Sequence, residues 1–175
     1  EFRRVLFRSE ETDLDEIIRT SVRKYARQFI AKKISLSYEP VERTVITDKK
    51  WLSFVIEQVI SNAVKYTKTG GIKIYLEDGD GTMSVPVQKA SHRKEDDGEN
   101  SGMKSVRLVI EDTGIGIRAE DLPRICEMGY TGCNGHERQH SSGIGLYLCS
   151  RILKKLGHTF SITSKEGVGT VVKIG

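Results

Sequence analysis

Apolar residues recur along the chain with two different periods, and the switches between them mark out the elements. Leu14, Ile17, Ile18, Val22, Tyr25, Ala26, Phe29 and Ile30 fall at helical spacing, after Thr12 or Asp13 as N-cap and with acids in the first turn. Trp51, Leu52, Val55, Ile56, Val59, Ile60 and Ala63 form the core face of a second helix, which Asp48 can cap and Gly70-Gly71 closes. Alternation replaces that period at 34–38, 72–76, 106–110, 159–163 and 170–174, each of which predicts a strand, and Val45-Ile46 begins another short one. A short helix over 121–126, a glycine-rich loop over 129–142 and a helix over 145–156 complete the order. Residues 78–105 break the pattern. They are rich in Gly, Ser, Asp, Glu and Lys, and read as a polar insertion between two strands, disordered on composition, with a docking loop as the functional alternative. The succession suits an α/β fold with helices packed on one face of a mixed sheet.

Composition adjusts this picture at several points. The 175 residues amount to one domain, with 37% apolar and 30% charged residues as in an ordinary soluble protein. No window approaches the roughly 18 consecutive apolar residues of a membrane span. Cys126, Cys133 and Cys149 are an odd set without metal-ligand spacing, and read as free thiols of a reducing cytoplasm. Residues 1–9, EFRRVLFRS, match nothing that follows and resemble a translated sequencing-library adapter. They are read as a non-native scar, with a genuine basic helix start as the alternative, so the domain runs over 10–175 and the chain is a fragment. Arg3, Arg4 and Arg8 against Glu1 supply +2 of the formal +4, and the +2 that remains is too mild to argue for nucleic acid.

Candidate chemistry sits in separated stretches. On the second helix, Asn62 and Tyr66 lie four apart and share a face, with Lys65 beside them and Gln58 one turn before. A polar group on that face needs partners, and Asn62 either caps a nearby loop or holds a ligand. After the strand at 106–110 comes Asp112-Thr-Gly114-Ile-Gly116-Ile117. A carboxylate there can accept from an exocyclic amine while glycines let a flat ring approach, although a tight turn uses the same glycines. Ser142-Gly143-Ile-Gly145-Leu146 leads straight into a helix, whose first amides and dipole favour phosphate. It follows a long loop rather than a strand and lacks Gly-Lys-Ser/Thr, so neither the dinucleotide fingerprint nor the Walker loop applies.

In this order and spacing, the Asn62 helix, the DxGxG box, the GxGL box and Gly167-Val-Gly169-Thr170 resemble the GHKL ATPases: histidine kinases, type II topoisomerases, a heat-shock chaperone and mismatch-repair ATPases. The resemblance spans 10–175 and implies the Bergerat fold, a two-layer α/β sandwich that binds ATP. It implies that Asp112 binds the adenine amine, Asn62 holds magnesium, Lys65 faces phosphate and Tyr66 packs near the base. Gly114, Gly116 and Ile117 would line the base pocket, and Ser142, Gly143, Gly145 and Leu146 would wrap the triphosphate. Tyr130 and Arg138 would reach the nucleotide from the lid, and Thr170 would support the adenine end.

The branch turns on Gln58. ATP-hydrolysing members of the family carry a glutamate one turn before the magnesium Asn as general base; Gln58 cannot take a proton, and Glu57 points roughly 100° round the helix. A pocket without a base suits phosphoryl transfer to an imidazole, where positioning and magnesium dominate. Asn62-Ala-Val-Lys-Tyr-Thr likewise resembles the histidine-kinase branch, and the lid segment 125–136 resembles its bacitracin-sensing subgroup. Departures are Cys126 for the usual aromatic, His136 for the usual arginine (a role open to Arg138), and the 78–105 insertion. None of His92, His136, His140 and His158 has the acid and proline context of a phosphoacceptor. The resemblance therefore implies a missing dimerisation helix pair, a response regulator, and a full-length plasma-membrane homodimer, with an ABC transporter as a further partner and this domain in the cytoplasm. The alternatives are an ATPase or serine-type kinase on the same fold, and a degenerate binding module.

Overall fold

The computed structural model describes residues 8–78, 87–88, 106–132 and 142–175. Strand β1 (Glu10–Asp13) opens the order, followed by helix α1 (Leu14–Lys32), β2 (Ser35–Tyr38), β3 (Thr44–Thr47) and helix α2 (Lys49–Tyr66). Then come β4 (Gly71–Asp78), β5 (Val87–Gln88), β6 (Val106–Asp112), a 3-10 turn (Leu122–Arg124), helix α3 (Gly145–Leu156), β7 (Phe160–Lys165) and β8 (Gly169–Ile174). The α/β expectation holds. A five-stranded sheet in the order β2-β4-β6-β8-β7 is parallel between β2 and β4 and antiparallel elsewhere, and carries the helices on one face. A smaller antiparallel sheet, β1-β3-β5, lies apart from it.

The helices begin where the sequence supplies caps. Asp13 accepts from the amides of Asp15 (2.9 Å) and Glu16 (3.3 Å), and Asp48 from that of Trp51 (3.2 Å). Helix α1 ends on Lys33 in the left-handed region (φ 55°). Its last turn also serves α2: Lys32 Nζ donates to the carbonyls of Val64 (2.5 Å), Lys65 (3.2 Å) and Thr67 (3.3 Å). These are carbonyls that a helix end leaves without intrahelical partners.

Three rows of facing residues explain both core and cleft. Register sets Leu76, Leu108, Ile174 and Phe160 side by side, then Ile74, Ile110, Val172 and Ile162, then Ile72, Asp112, Thr170 and Ser164. Strand side chains alternate, so all three rows share the helix-facing side. The first two rows pack under α2 and α3 as core. In the third the same face turns polar.

Several expectations change. Residues 10–13 are a strand that pairs with β3 (Glu10 opposite Thr47), and the helix starts after it. The 121–126 helix shrinks to the 3-10 turn, whose start Asp121 leaves without a side-chain cap. Ile30, counted on the apolar face of α1, is 77% exposed, and Ala26 is exposed too. Within the polar insertion, Val87-Gln88 pairs with Val45 and Thr44; the remainder of 79–105 lies outside the described residues, as do 1–7 and 133–141.

Candidate functional site

Where the third row turns polar, the sheet, α2 and the start of α3 enclose a cleft of about 240 Å³. Its floor is Ile110, Ile162 and Val172 from the second row, with Asp112 and Thr170 from the third. Gln58, Val59, Asn62, Ala63 and Tyr66 of α2 form one wall. Gly116, Ile117, Asp121, Ile125 and residues 130–132 form another, and Ser142, Gly143, Gly145 and Leu146 close it where α3 begins.

Asp112 is held from both sides. Its Oδ1 accepts the Gly114 amide at 2.8 Å, and the Thr170 amide on the neighbouring strand also favours the charged carboxylate. Burial raises its pKa above the ordinary 3.8, against the pull of those two amides, and nearby Glu111 adds to the rise. The turn behind it is pressed tight. A Cβ on Gly114 would lie 2.7 Å from both Asp112 Oδ1 and the Tyr66 carbonyl, while Gly116 (φ +70°) passes so close to Lys165 that its Cβ would sit 2.0 Å from that carbonyl. The glycines of this box are thus required by backbone contact.

Ser164, which sequence reasoning passed over, ties the floor to that turn. Its hydroxyl receives the Ile117 amide (2.9 Å), reaches the Gly169 carbonyl (2.8 Å) and lies 2.9 Å from Thr170 Oγ1. Only the β7–β8 register, which sets Ser164 opposite Thr170, reveals it.

At the other end, α3 begins without a side-chain cap, unlike α1 and α2. A Cβ on Gly145 would meet Gln58 Oε1 at 2.8 Å, which places the Gln58 amide beside the first turn of α3. Glu57 points the other way and pairs with Lys24 of α1, so no carboxylate of α2 enters the cleft.

The cleft gathers Asn62, Tyr66, Asp112, Gly116, Ile117, Tyr130, Ser142, Gly143, Gly145, Leu146 and Thr170. Gly114 stands behind the wall as a donor to Asp112. Lys65 lies outside the lining, with its ammonium 5.3 Å from the Tyr66 ring centroid. Arg138 falls outside the described residues. Asp121, Ile125, Thr131 and Gly132 line the cleft unforeseen; Ile110 and Val172 were legible as the alternate positions before Asp112 and after Thr170.

Residues 47–175 match the family model of the histidine kinase-, DNA gyrase B-, and HSP90-like ATPases. The chain belongs to this family. Its curated relatives are sensor kinases of the subgroup that the lid segment resembles. It is 33% identical over 171 residues to the sensor histidine kinase YxdK of Bacillus subtilis, which covers 95% of this chain and 45% of that protein. The sensor protein BceS of Halalkalibacterium halodurans is 30% identical over 163 residues, 92% of this chain and 41% of that one. This GHKL chain thus spans less than half the length of either relative. Among solved structures, the catalytic domain of histidine kinase ThkA superposes with a TM-score of 0.69 at 20% identity, over 95% of this chain and 93% of that one. Full-length ShkA in complex with AMPPNP gives 0.70 at 20% identity, over 97% and 31%. At that identity the likeness establishes the fold.

Proposed function

We propose that this domain binds ATP with magnesium in the cleft and presents the γ-phosphoryl group to a histidine on a dimerisation helix pair, as the catalytic part of a two-component sensor kinase. The observation that carries the reading is the polar third row, Asp112 and Thr170, set in one cleft with the uncapped start of α3. Asp112, held by the Gly114 amide, accepts the adenine amine while Ile110, Ile162 and Val172 floor the ring, with Gly116, Ile117 and Tyr66 around it. The amides at Ser142, Gly143, Gly145 and Leu146 receive the phosphates. The side-chain carbonyl of Asn62 suits a hard cation, and magnesium held there would neutralise the transferring charge. Lys65, Tyr130 and Arg138 complete the proposed contacts. Gln58 orients and takes no proton, which leaves water unactivated.

His158, the histidine among the described residues, lies between Thr47 Oγ1 (3.0 Å) and the Gly175 carbonyl (3.2 Å), away from the cleft. The acceptor hairpin, a response regulator, a plasma-membrane homodimer and an ABC transporter are partners of the whole protein on this reading, with the domain in the cytoplasm. No described helix is long and apolar enough to cross a membrane. The domain is proposed to span 10–175.

Incubation with radiolabelled ATP, magnesium and the dimerisation hairpin of a relative such as YxdK tests the proposal. Acid-labile label on the hairpin, none on the chain alone and no steady phosphate release are expected. Steady release without transfer would instead identify an ATPase, and absence of nucleotide binding a degenerate module.

A further inference from the structure

Asp121 is 5% exposed, lines the cleft, and makes no side-chain cap to the 3-10 turn that follows it. Its Oδ1 instead accepts the Tyr130 hydroxyl at 2.5 Å. The Tyr130 ring is held on another side by Arg124, whose guanidinium lies 4.3 Å from the ring centroid. Gly132 (φ +62°) passes so near that a Cβ there would come within 3.1 Å of Asp121 Oδ2. Tyr130 in turn adjoins the backbone that meets α3. The Gly129 amide donates to the Gly143 carbonyl at 3.0 Å. Gly143 (φ +65°) leaves no room for a side chain, since its Cβ would lie 2.5 Å from Gly129 C and 2.7 Å from the Tyr130 carbonyl. Direct contacts therefore run from Asp121 through Tyr130 and Gly129 to Gly143, two residues before α3.

We propose that Asp121 and Tyr130 form a clamp that positions the Gly143 backbone and so sets the affinity for the phosphate groups of the nucleotide. The inference rests on the nucleotide-site reading; it adds Asp121 to it and gives Tyr130 a positioning role. A buried carboxylate suits the part, because a hydroxyl bonds a charged acceptor more strongly than a neutral one. Phenylalanine at 130 keeps the ring that Arg124 covers and deletes the hydroxyl that bonds Asp121.

The test combines Tyr130→Phe, Asp121→Ala, Asp121→Asn and the Asp121→Ala/Tyr130→Phe double variant. Hydrogen exchange of the Gly129 amide is read without nucleotide, and affinities are read for ATP and for adenosine. Tyr130→Phe and Asp121→Ala should each speed Gly129 exchange and weaken ATP roughly ten-fold, with a clearly smaller loss for adenosine. The double variant should lose no more than either single one, and Asp121→Asn, which still accepts the hydroxyl but more weakly, should fall between the parent and Asp121→Ala. Additive losses, equal losses for ATP and adenosine, or unchanged Gly129 exchange would overturn the clamp. If the parent chain binds neither ligand, the nucleotide reading fails, and Gly129 exchange alone decides the clamp.

Discussion

Helix α2 has two working sides, and they treat polar groups in opposite ways. Toward α1 every polar group described above has an answering partner: Glu57 pairs with Lys24, and Lys32 covers the carbonyls of Val64, Lys65 and Thr67. Toward the cleft, one residue further along, Gln58 and Asn62 face an open volume, burial raises the pKa of Asp112, and α3 begins without a cap. The α1 side is built for stability. The cleft side carries costs that only a ligand can offset, which is how a binding site differs from a core.

That contrast can be broken at several places. The largest effect is expected at Gly169, whose backbone (φ +143°) crosses the Asp112 carbonyl so closely that a Cβ would sit 1.9 Å from it. Gly169→Ala should cost about 3 kcal/mol in chemical denaturation and remove nucleotide binding with it, because the floor of the cleft and the sheet are one structure. Asp48→Ala, on the scaffold, loses the α2 cap and the Arg8 amide contact (2.8 Å). It should cost about 1 kcal/mol while leaving nucleotide affinity of the folded protein unchanged. The smallest effect belongs to His158, whose pKa burial lowers below 6.5, against the hydrogen bond to Gly175. The unfolded chain then takes up the proton first as pH falls. The stability contributed by His158 is intact above pH 6.5 and is lost as pH falls from there through the lowered folded value, a slope that His158→Asn should flatten in pH-dependent melts.

The same contrast explains what could be foreseen. The helices declared themselves by period and by Asp13 and Asp48, local signals that the fold obeys. Asp112 and Asn62 were visible as polar residues on otherwise apolar faces, and the glycine boxes marked where backbone must come close. Strand β1 was hidden because Glu10, Glu11 and Asp13 are exposed and only Thr12 is buried, so its pairing with β3 leaves no alternation to detect. Ser164 and Asp121 were hidden for a different reason. Each is an ordinary polar residue whose role comes from a partner distant in space or register: Thr170 and Ile117 for one, the Tyr130 hydroxyl for the other. Four-residue spacing places Asn62 and Tyr66 on the cleft lining, while Lys65 falls beside it, with its ammonium over the Tyr66 ring.

The buried carboxyl of Asp112 is kept for a nucleotide at a cost to the free protein. Its folded pKa is raised above 3.8, so stability is highest below that value and declines as pH rises through the folded one; burial of this carboxyl therefore burdens the fold on the high-pH side. The direct measurement is a pair of titrations on Asp112→Asn and the parent chain at neutral pH: ATP binding with magnesium, and denaturant unfolding without nucleotide. Asp112→Asn should bind ATP more weakly by about 1.5–3 kcal/mol and unfold at an equal or higher denaturant concentration. Unchanged affinity, or a loss of affinity that merely tracks a loss of stability, would contradict the account.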